Sequence, residues 1–548
     1  MINCKNCGAN MHFDPATQKL QCEYCGNLEE VASRQAGIVS TEQDMYDTRE
    51  FTCPQCGATI LSDANTAGTF CSYCGTSVFF KERAVQMKAP TYIIPFQKTQ
   101  DEAEKIYNNL IKKSLFAPNY MKMDEDKSKL RGIYMPYWVY ETERTTPVIS
   151  TGQKSHRSGD YIIHENYRFT TPVRAHSNGA SFDASSAFSD DLSQAIAPYT
   201  FNQSRDFASG YLSGFYVDTA DVDASVYDYQ AKEVIAANII QTMGRKTNLN
   251  AYGAMPTMEN VSDGVKVDKA EMSYFPVWFY ATERKGKVSY AVINGQTGKV
   301  AADIPIDYGK YLLGALILSL PIMLIMNLIF TPRPQMLAFV TIIGAVITYI
   351  IANSQLNQLY TRMNYLDDRG LRFARNQVMP EQMSSTQVKK KSPSKVKVVT
   401  ATSKIWSLCM PIGMVLIALG GEGGAVGVAL FGAATFMVGI VGAIVSSFMP
   451  AGSIPVSKTS TKGKSYVFRQ PFKEKIKVLI KPMLVAAFAL LLLIINPYID
   501  LVYYICVLVL MTGLLFCFKD IIDTHNKLTR RLPRQFNKRG GDEGEMFN

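Results

Sequence analysis

Six long apolar segments occupy the second part of this chain and divide it into a soluble front and a membrane-embedded back. They run approximately over 310–330, 335–353, 405–421, 424–448, 479–496 and 499–518. A hydrocarbon core of about 30 Å is crossed by about 20 helical residues, which is close to the length of most of these segments. The sequence therefore predicts an all-α bundle of six transmembrane helices behind a soluble region over residues 1–308.

The connections between these segments alternate sharply in charge. The segment 354–404 carries ten Lys and Arg residues, 450–478 carries seven and 519–548 carries another seven, whereas the short turns on the other side carry only Arg333. Because basic residues stay on the cytoplasmic side, the pattern predicts two basic cytoplasmic loops, a cytoplasmic tail and both termini in the cytoplasm. The predicted transmembrane hairpins are 309–353, 405–449 and 479–518.

The net charge of +10 is distributed unevenly along the chain, and its distribution indicates which class of partner the protein binds. Residues 1–308 carry 30 Lys and Arg against 36 Asp and Glu, so the whole positive excess belongs to the membrane part. A phosphate-binding module is expected to carry a basic patch. The composition therefore disfavours nucleic acid as a partner, whereas the basic loops are suited to contact with anionic membrane lipid.

Eight of the 11 cysteines form four CxxC pairs with regular spacing. The first set is Cys4, Cys7, Cys22 and Cys25, and the second is Cys53, Cys56, Cys71 and Cys74. Zn²⁺ prefers four soft ligands in a tetrahedron, and a CxxC turn brings two thiolates together. The spacing predicts two structural Zn²⁺ sites with no open catalytic position. Disulfides and redox dithiols are the alternatives, and the predicted cytoplasmic location favours the metal.

Each set of cysteines predicts one small β zinc ribbon, over 1–28 and over 51–82. The polar segment 29–50 is typical of a flexible linker between them. His12 lies inside the first hairpin, but the second copy has Leu61 near the equivalent position. A structural role for His12 is therefore favoured over a ligand role.

An aromatic motif, Tyr-x-Pro-x-Trp-x-Tyr-x-Thr-Glu, occurs twice in the soluble region, at 134–143 and 274–283. Each copy alternates large apolar residues, as a buried strand does, and follows an amphipathic stretch, 100–113 or 230–243. The repeat predicts a duplicated α+β cytoplasmic domain over 90–308 with a β-rich insertion between the copies. The aromatic residues are expected to form the core of a sheet, with a ligand platform as the alternative.

The rest of the soluble region offers no catalytic arrangement. Residues 176–209, rich in Ser, Ala, Asp and Asn, are expected to form irregular cover, with Asp190 and Asp191 in solvent. Residues 285–307 have the pattern of a hairpin. The five histidines form no metal-binding pair, and the sequence contains neither a phosphate-binding glycine loop nor a nucleophile elbow. The sequence therefore predicts that the protein is not an enzyme.

Several short motifs together resemble a family of bacterial zinc-ribbon membrane proteins, the YdjG-like proteins, often labelled TFIIB-type or primosomal-helicase-like. The matching motifs are the CxxCG pairs, IIPF (93–96), LFAP (115–118), GIYMPYW (132–138), YFPVWFY (274–280) and NGQTGKVAADIP (294–305). The resemblance implies a membrane platform in an envelope-stress system, with phage-shock-protein-A-like or SPFH/flotillin-like partners. No Walker motif supports the helicase label. This chain has two ribbons and six spans, where the resemblance implies a simpler layout.

Three functions follow as hypotheses from these patterns. The leading one is a membrane-anchored, cytoplasm-facing zinc-ribbon scaffold that recruits soluble protein partners. The alternatives are a membrane-tethered nucleic-acid-binding protein and a small-solute transporter. A transporter usually carries ionisable residues within its spans. The interiors of the predicted spans are almost free of charge, which favours an anchor.

Overall fold

The computed structural model describes residues 2–31, 45–52, 59–62, 81–121, 130–186, 188–284, 287–329, 334–363, 368–370 and 472–529. The described residues divide into two compact units. The first holds residues 2–304 together with 368–370, and the second holds residues 305–363 and 472–529.

The first unit is built mainly from strands. These are β1 (Met11–Asp14), β2 (Lys19–Cys22), β3 (Leu28–Glu29), β4 (Met45–Thr52), β5 (Thr59–Ser62), β6 (Lys81–Lys88), β7 (Tyr92–Ile93), β8 (Leu130–Arg144), β9 (Val148–Ser158), β10 (Tyr161–Thr171), β11 (Ala175–Asp183), β12 (Arg205–Asp206), β13 (Tyr216–Asp218), β14 (Lys266–Arg284), β15 (Lys287–Asn294) and β16 (Val300–Ala302). Its helices are α1 (Gln100–Lys113), α2 (Asp190–Ile196), α3 (Asp228–Lys246) and α4 (Met258–Ser262). The strands form a small sheet β1-β2-β3, a two-stranded ribbon β9-β10 and one large sheet of 11 strands.

The two copies of the aromatic motif pair with each other at the centre of the large sheet. Strands β8 and β14 run antiparallel, with Tyr134 opposite Pro276 and Pro136 opposite Tyr274. The motif copies are therefore related by a local two-fold axis through the Met135–Phe275 pair. A buried, aromatic-rich strand pair of this kind supplies a large packed surface on both of its faces.

The same two-fold relation extends to the strands on either side. The outer edge of β8 pairs first with the short parallel strand β13 and then with the antiparallel strand β11. The outer edge of β14 pairs in the same order with β7 and β15. Each repeat is thus a short strand, a helix and a long strand, and the short strand of one repeat lies beside the long strand of the other. The residues 90–304 that contain both repeats form the central domain.

The helices of the central domain form where the sequence places apolar residues three and four apart. In α1, Ala103, Tyr107 and Ile111 are buried, and Thr99 and Glu102 close a capping box at the first turn. The Thr99 side chain accepts a hydrogen bond from the backbone N–H of Glu102, and the Glu102 side chain accepts one from the backbone N–H of Thr99. The two bonds satisfy two of the unpaired donors at the helix start. This helix matches the predicted stretch 100–113.

The expectation of irregular cover over 176–209 is wrong for two elements. Strand β11 pairs with β8 along most of its length, placing Asp183 opposite Tyr137. Helix α2 buries Leu192 and Ile196 against the sheet. Short, mixed-composition elements of this kind depend on pairing with a strand that is distant in sequence, and local pattern does not reveal it.

The predicted linker 29–50 also contains regular structure. Glu29 ends β3, and β4 begins at Met45 and pairs with both β5 and β6. Because backbone hydrogen bonds build the ladder whatever the polarity of the side chains, a polar segment can still form a strand. Strand β5 pairs in turn with β13, so the described parts of the predicted second ribbon belong to the large sheet.

The second unit consists of long apolar helices. They are α5 (Tyr308–Ile329), α6 (Pro334–Met363), α7 (Phe472–Ile495) and α8 (Asp500–Thr529). Three stretches, Gln335–Arg362, Lys475–Ile495 and Leu501–Thr529, are long and apolar enough to cross a membrane, and a shorter apolar stretch covers Tyr308–Ile322. Four of the six predicted spans therefore fall on helices. The other two, 405–421 and 424–448, lie outside the described residues, so the six-helix bundle stays a prediction.

The helices continue beyond the apolar segments from which the spans were predicted. Helix α6 runs to Met363, α7 starts at Phe472 and α8 runs to Thr529, so parts of the predicted basic loops and tail are helical. A helix satisfies its backbone hydrogen bonds internally, so it need not end where the apolar side chains end.

Two sets of contacts define opposite ends of this helical unit. At one end, Asn526 near the end of α8 exchanges two hydrogen bonds with the backbone of Ile306, just before α5. Arg362 at the end of α6 donates to the carbonyl oxygen of Leu528 at 3.1 Å. At the other end, Gln335 at the start of α6 donates to the Asn496 side chain at 3.2 Å, beside the α7–α8 connection.

The second unit also contains an ion pair that the sequence analysis did not anticipate. Lys481 of α7 and Asp520 of α8 lie 2.6 Å apart between Nζ and Oδ2. Asp520 is six residues before Asn526, so the pair lies towards the end of the unit where α8 finishes, rather than midway along the helix. The pair therefore joins α7 to α8, about nine residues from the start of α7 and from the end of α8.

Candidate metal centre

The first four cysteines stand on two turns with the same hydrogen-bond pattern. In one turn the N–H of Gly8 donates to the carbonyl of Cys4, and in the other the N–H of Gly26 donates to the carbonyl of Cys22, both at 2.9 Å. Gly8 and Gly26 have φ angles of 75° and 72°, a left-handed conformation that a residue with a Cβ adopts at a cost. The glycine in each CxxCG sequence is therefore required by the turn.

The two turns bring four sulfur atoms together. The Sγ atoms of Cys4 and Cys25 are 3.6 Å apart, and those of Cys7 and Cys22 are 3.5 Å apart. All four lie within 4.8 Å of one another, so the group could hold a metal ion. A Zn–S bond of about 2.3 Å in a tetrahedron implies S···S distances of about 3.8 Å, and the four-thiolate set is the one Zn²⁺ prefers. The donor geometry fits that ion.

The surroundings of the Cys4 and Cys22 sulfur atoms favour thiolates. The backbone N–H of Asn6 and the side-chain amide of Asn27 both point at the Cys4 sulfur, at 3.4 and 3.6 Å. Hydrogen bonds from the backbone N–H of Cys25 lower the pKa of the Cys22 thiol. Donors of this kind stabilise negative charge on sulfur, as a metal ligand requires. Cys4 and Cys22 are buried, whereas Cys7 and Cys25 are exposed.

The first ribbon (residues 2–31) packs against the central domain and shares its core. The N–H of Phe13 donates to the carbonyl of Ser213 at 3.0 Å, and the Ser213 hydroxyl donates to the carbonyl of Met11 at 2.5 Å. The Phe13 ring meets the edge of Tyr211 at a centroid distance of 5.2 Å. A Cβ on Gly210 would lie 2.9 Å from Val31, so this glycine permits the close approach. The ribbon that carries the four cysteines therefore forms one wall of the central core.

The two lysines of the first ribbon are paired with carboxylates. Its two lysines, Lys5 and Lys19, form ion pairs with Glu29 and Glu30 at 3.9 and 2.8 Å. Acidic residues outnumber basic ones in this part of the chain. A phosphate backbone would have to compete with these carboxylates. Both lysines of the described ribbon therefore lie beside carboxylates.

The other predicted site residues have different outcomes. Cys53, Cys56, Cys71 and Cys74 lie outside the described residues, so the second Zn²⁺ site stays a prediction. His12 does not belong to the group of converging ligands; its ring packs on the backbone of Gly214. The expectation that Asp190 is in solvent is wrong, because its side chain is buried in the central domain. No signal in the local sequence distinguishes it from Asp191.

The comparisons with known proteins give one match. The chain is 33% identical over 315 residues to a Bacillus subtilis (strain 168) protein named as uncharacterised protein YdjG, and the match spans 56% of this chain and 90% of the relative. No protein-family profile matches the chain. No solved structure matches it.

Proposed function

This chain belongs to the same protein family as YdjG of Bacillus subtilis, and from that premise we propose that it is a membrane-anchored, cytoplasm-facing scaffold that recruits soluble protein partners. The relative's printed name gives no activity, so the proposal depends on the features of this chain. We assign Zn²⁺ to the Cys4–Cys7–Cys22–Cys25 centre, where it serves a structural role. An envelope-stress system is the setting that the YdjG-like resemblance implies.

One observation carries the proposal: a long β-hairpin projects from a body whose chain continues into apolar, membrane-length helices. Strands β9 and β10 pair over 11 residues, and most of their side chains are exposed. Only five residues separate β16 from α5. The chain therefore passes from the domain that carries the hairpin into the apolar helices through a short connection.

The tip of this hairpin carries apolar side chains that folding leaves uncovered. Tyr161 is 78% and Ile162 is 65% exposed, and they adjoin the turn at Gly159. Exposed apolar residues that are adjacent on a rigid element are typical of protein-binding surfaces. At the base of the hairpin, by contrast, Val148 is buried and Tyr167 packs on Tyr252 at 4.9 Å between ring centroids. The base of the hairpin is thus fixed by packing, while its tip is exposed to solvent.

The test uses a photo-reactive amino acid in the full-length chain. Ile162 is replaced by p-benzoylphenylalanine, cells are irradiated, and the membranes are solubilised in mild detergent. We expect a discrete protein adduct at Ile162 and recovery of the same protein, without irradiation, as a stoichiometric component of the purified complex.

A matched control lies on the same strand and the same face. Asn166 is four residues from Ile162, exposed and away from the apolar tip, so the same replacement there is expected to give little or no adduct. Recovery of the chain alone from several mild detergents, together with no protein adduct at Ile162, would overturn the proposal.

A further inference from the structure

Three aspartates from distant parts of the chain form a buried acidic pocket in the first unit. Asp183 ends β11, Asp190 begins α2, and Asp368 lies five residues after the end of α6. They are 3%, 5% and 4% exposed. Burying a carboxylate in ionised form is costly unless charge or hydrogen bonds compensate for it, so three together are a feature that requires an explanation.

The hydrogen bonds around the acidic pocket compensate only part of this charge. Asp190 accepts a hydrogen bond from the Tyr227 hydroxyl at 3.0 Å and another from the backbone N–H of Arg369 at 2.9 Å. In contrast, Oδ2 of Asp183 is buried and has no hydrogen-bond partner among the described residues. Asp190 is therefore held as a hydrogen-bond acceptor, whereas Oδ2 of Asp183 accepts no hydrogen bond from the described residues.

The ionisable groups around the acidic pocket are mostly acidic. Tyr137 of β8 adjoins Asp183, and Tyr227 faces Asp183, Asp190 and Asp368. Asp221 also interacts with Asp368, although Ser186 donates two hydrogen bonds to it. Arg369 contributes positive charge at Asp190, but its side chain is exposed. The neighbouring Asp218 is bonded to Ser185.

The segment 368–370 fits closely against this site. A Cβ on Gly370 would lie 3.1 Å from a methyl carbon of Val222 and 3.3 Å from the Tyr227 hydroxyl. We propose that Asp183 and Asp190 form a proton-dependent docking site for the segment 368–370, which stays packed on them when this site binds a proton and leaves when that proton is lost.

The direction of the pH effect follows from linkage. Burial raises the pKa of Asp183 well above its usual value, and burial followed by the charge of Asp368 raises the pKa of Asp190 to about 6. When the segment leaves, Asp368 returns to water and the pKa of Asp183 falls towards its usual value, whereas Asp190 loses both the charge of Asp368, which raises its pKa, and the contacts of Arg369, which lower it. The docked state therefore binds more protons, and docking weakens as the pH rises through the raised pKa values. The contribution of Asp183 is lost as the pH rises through its raised pKa.

Hydrogen exchange at the Arg369 backbone amide reports docking directly, since this N–H is bonded to Asp190. The full-length chain in lipid nanodiscs is compared at pH 6 and pH 8 by mass spectrometry, with rates corrected for intrinsic base catalysis. We expect protection of the peptide containing Arg369 to fall by about tenfold or more across this interval, since each proton taken up changes the docking equilibrium by up to about tenfold per pH unit.

Two variants separate this mechanism from simple destabilisation. Asp183→Asn and Asp368→Asn each remove one negative charge at nearly constant shape, so both are expected to keep the segment protected at pH 8. Asp160→Asn, in the exposed β9–β10 turn, is the control and is expected to behave as the unsubstituted chain. Protection that is independent of pH in the unsubstituted chain would overturn the proposal. Restoration of protection at pH 8 by added Ca²⁺ would also overturn it, because a cation would then take the place of the proton.

Discussion

Met135 lies directly opposite Phe275 in the register of β8 and β14, and the two residues hold the same position in the two copies of the aromatic motif. The copies therefore meet about a two-fold axis, and equivalent residues on either side are expected to have equivalent surroundings. The tryptophans show this. The indole N–H of Trp138 donates to the carbonyl of Val222 at 2.8 Å, and that of Trp278 donates to the carbonyl of Lys98 at 2.9 Å. Val222 lies shortly before α3 and Lys98 shortly before α1, so each indole bonds to a residue of the other repeat.

Trp138→Phe and Trp278→Phe are both expected to lower the thermal stability of the first unit. Each removes a donor and leaves a backbone carbonyl without its partner, which costs about 1–3 kcal/mol where water cannot replace it. The loss is expected to be larger for Trp278, which is buried, than for the partly buried Trp138. Circular dichroism of the detergent-solubilised chain measures the change.

The third tryptophan, Trp406, lies outside both motif copies and gives the matched control. Trp406→Phe is expected to leave the unfolding temperature of the first unit unchanged. Equal stability of all three variants would show that the two indole hydrogen bonds contribute nothing to the repeat.

The parts of the fold that could be predicted are those whose signal is local. The alternation around Trp138 and Trp278 predicts buried strands, and the structure has them as β8 and β14. The CxxC spacing predicts a site at which four cysteines converge, and the structure has such a site in the first ribbon. The missed features depend on distant partners. Asp190 is indistinguishable from a solvent-exposed aspartate until Arg369, 179 positions away, is placed beside it.

The attachment of the first ribbon to the central domain could not be predicted for the same reason. Phe13 looks like the core residue of an independent hairpin, yet its neighbours in space are Tyr211 and Phe215. Burial of one apolar ring against another leaves no mark on either local sequence, since any large apolar residue would satisfy the pattern.

Metal analysis of the purified chain is expected to give two Zn²⁺ ions per molecule, one for each set of cysteines. Cys22→Ser removes one thiolate from the centre that the structure shows, and Cys53→Ser removes one from the predicted second site. Each substitution is expected to lower the zinc content by one ion, because a Cys₄ site rarely holds its metal with three thiolates and a hydroxyl. Elemental analysis by mass spectrometry gives the count, and Cys506→Ser, in α8, is the control. A content of one ion that Cys53→Ser leaves unchanged would contradict the second site.

Phe13→Ala is expected to loosen the first ribbon from the central domain. The ring is buried, and replacing a buried Phe by Ala costs about 3–5 kcal/mol, most of which should appear as local opening of this contact. The rate of zinc transfer to a chromophoric chelator is expected to rise, because opening exposes the ribbon. Tyr24→Ala is the matched control on the same ribbon: Tyr24 is 84% exposed, and its removal is expected to change stability by less than about 0.5 kcal/mol. Equal transfer rates for the two variants would show that the ribbon does not depend on its contact with the central domain.

The orientation of the second unit can be tested at its two ends. Tyr498 is fully exposed in the connection between α7 and α8, at the end where Gln335 meets Asn496, and the ends of α6 and α8 meet at the opposite end through Arg362 and Leu528. Because the basic segments follow the latter end, the positive-inside rule predicts that this end faces the cytoplasm. Alkaline phosphatase inserted at Tyr498 is therefore expected to be active, and green fluorescent protein fused after Asn548 to be fluorescent. Inactive phosphatase at Tyr498 with a non-fluorescent C-terminal fusion would show the opposite orientation. That result would contradict the proposed cytoplasm-facing scaffold, because the chain of the first unit enters α5 at the same end as Asn526.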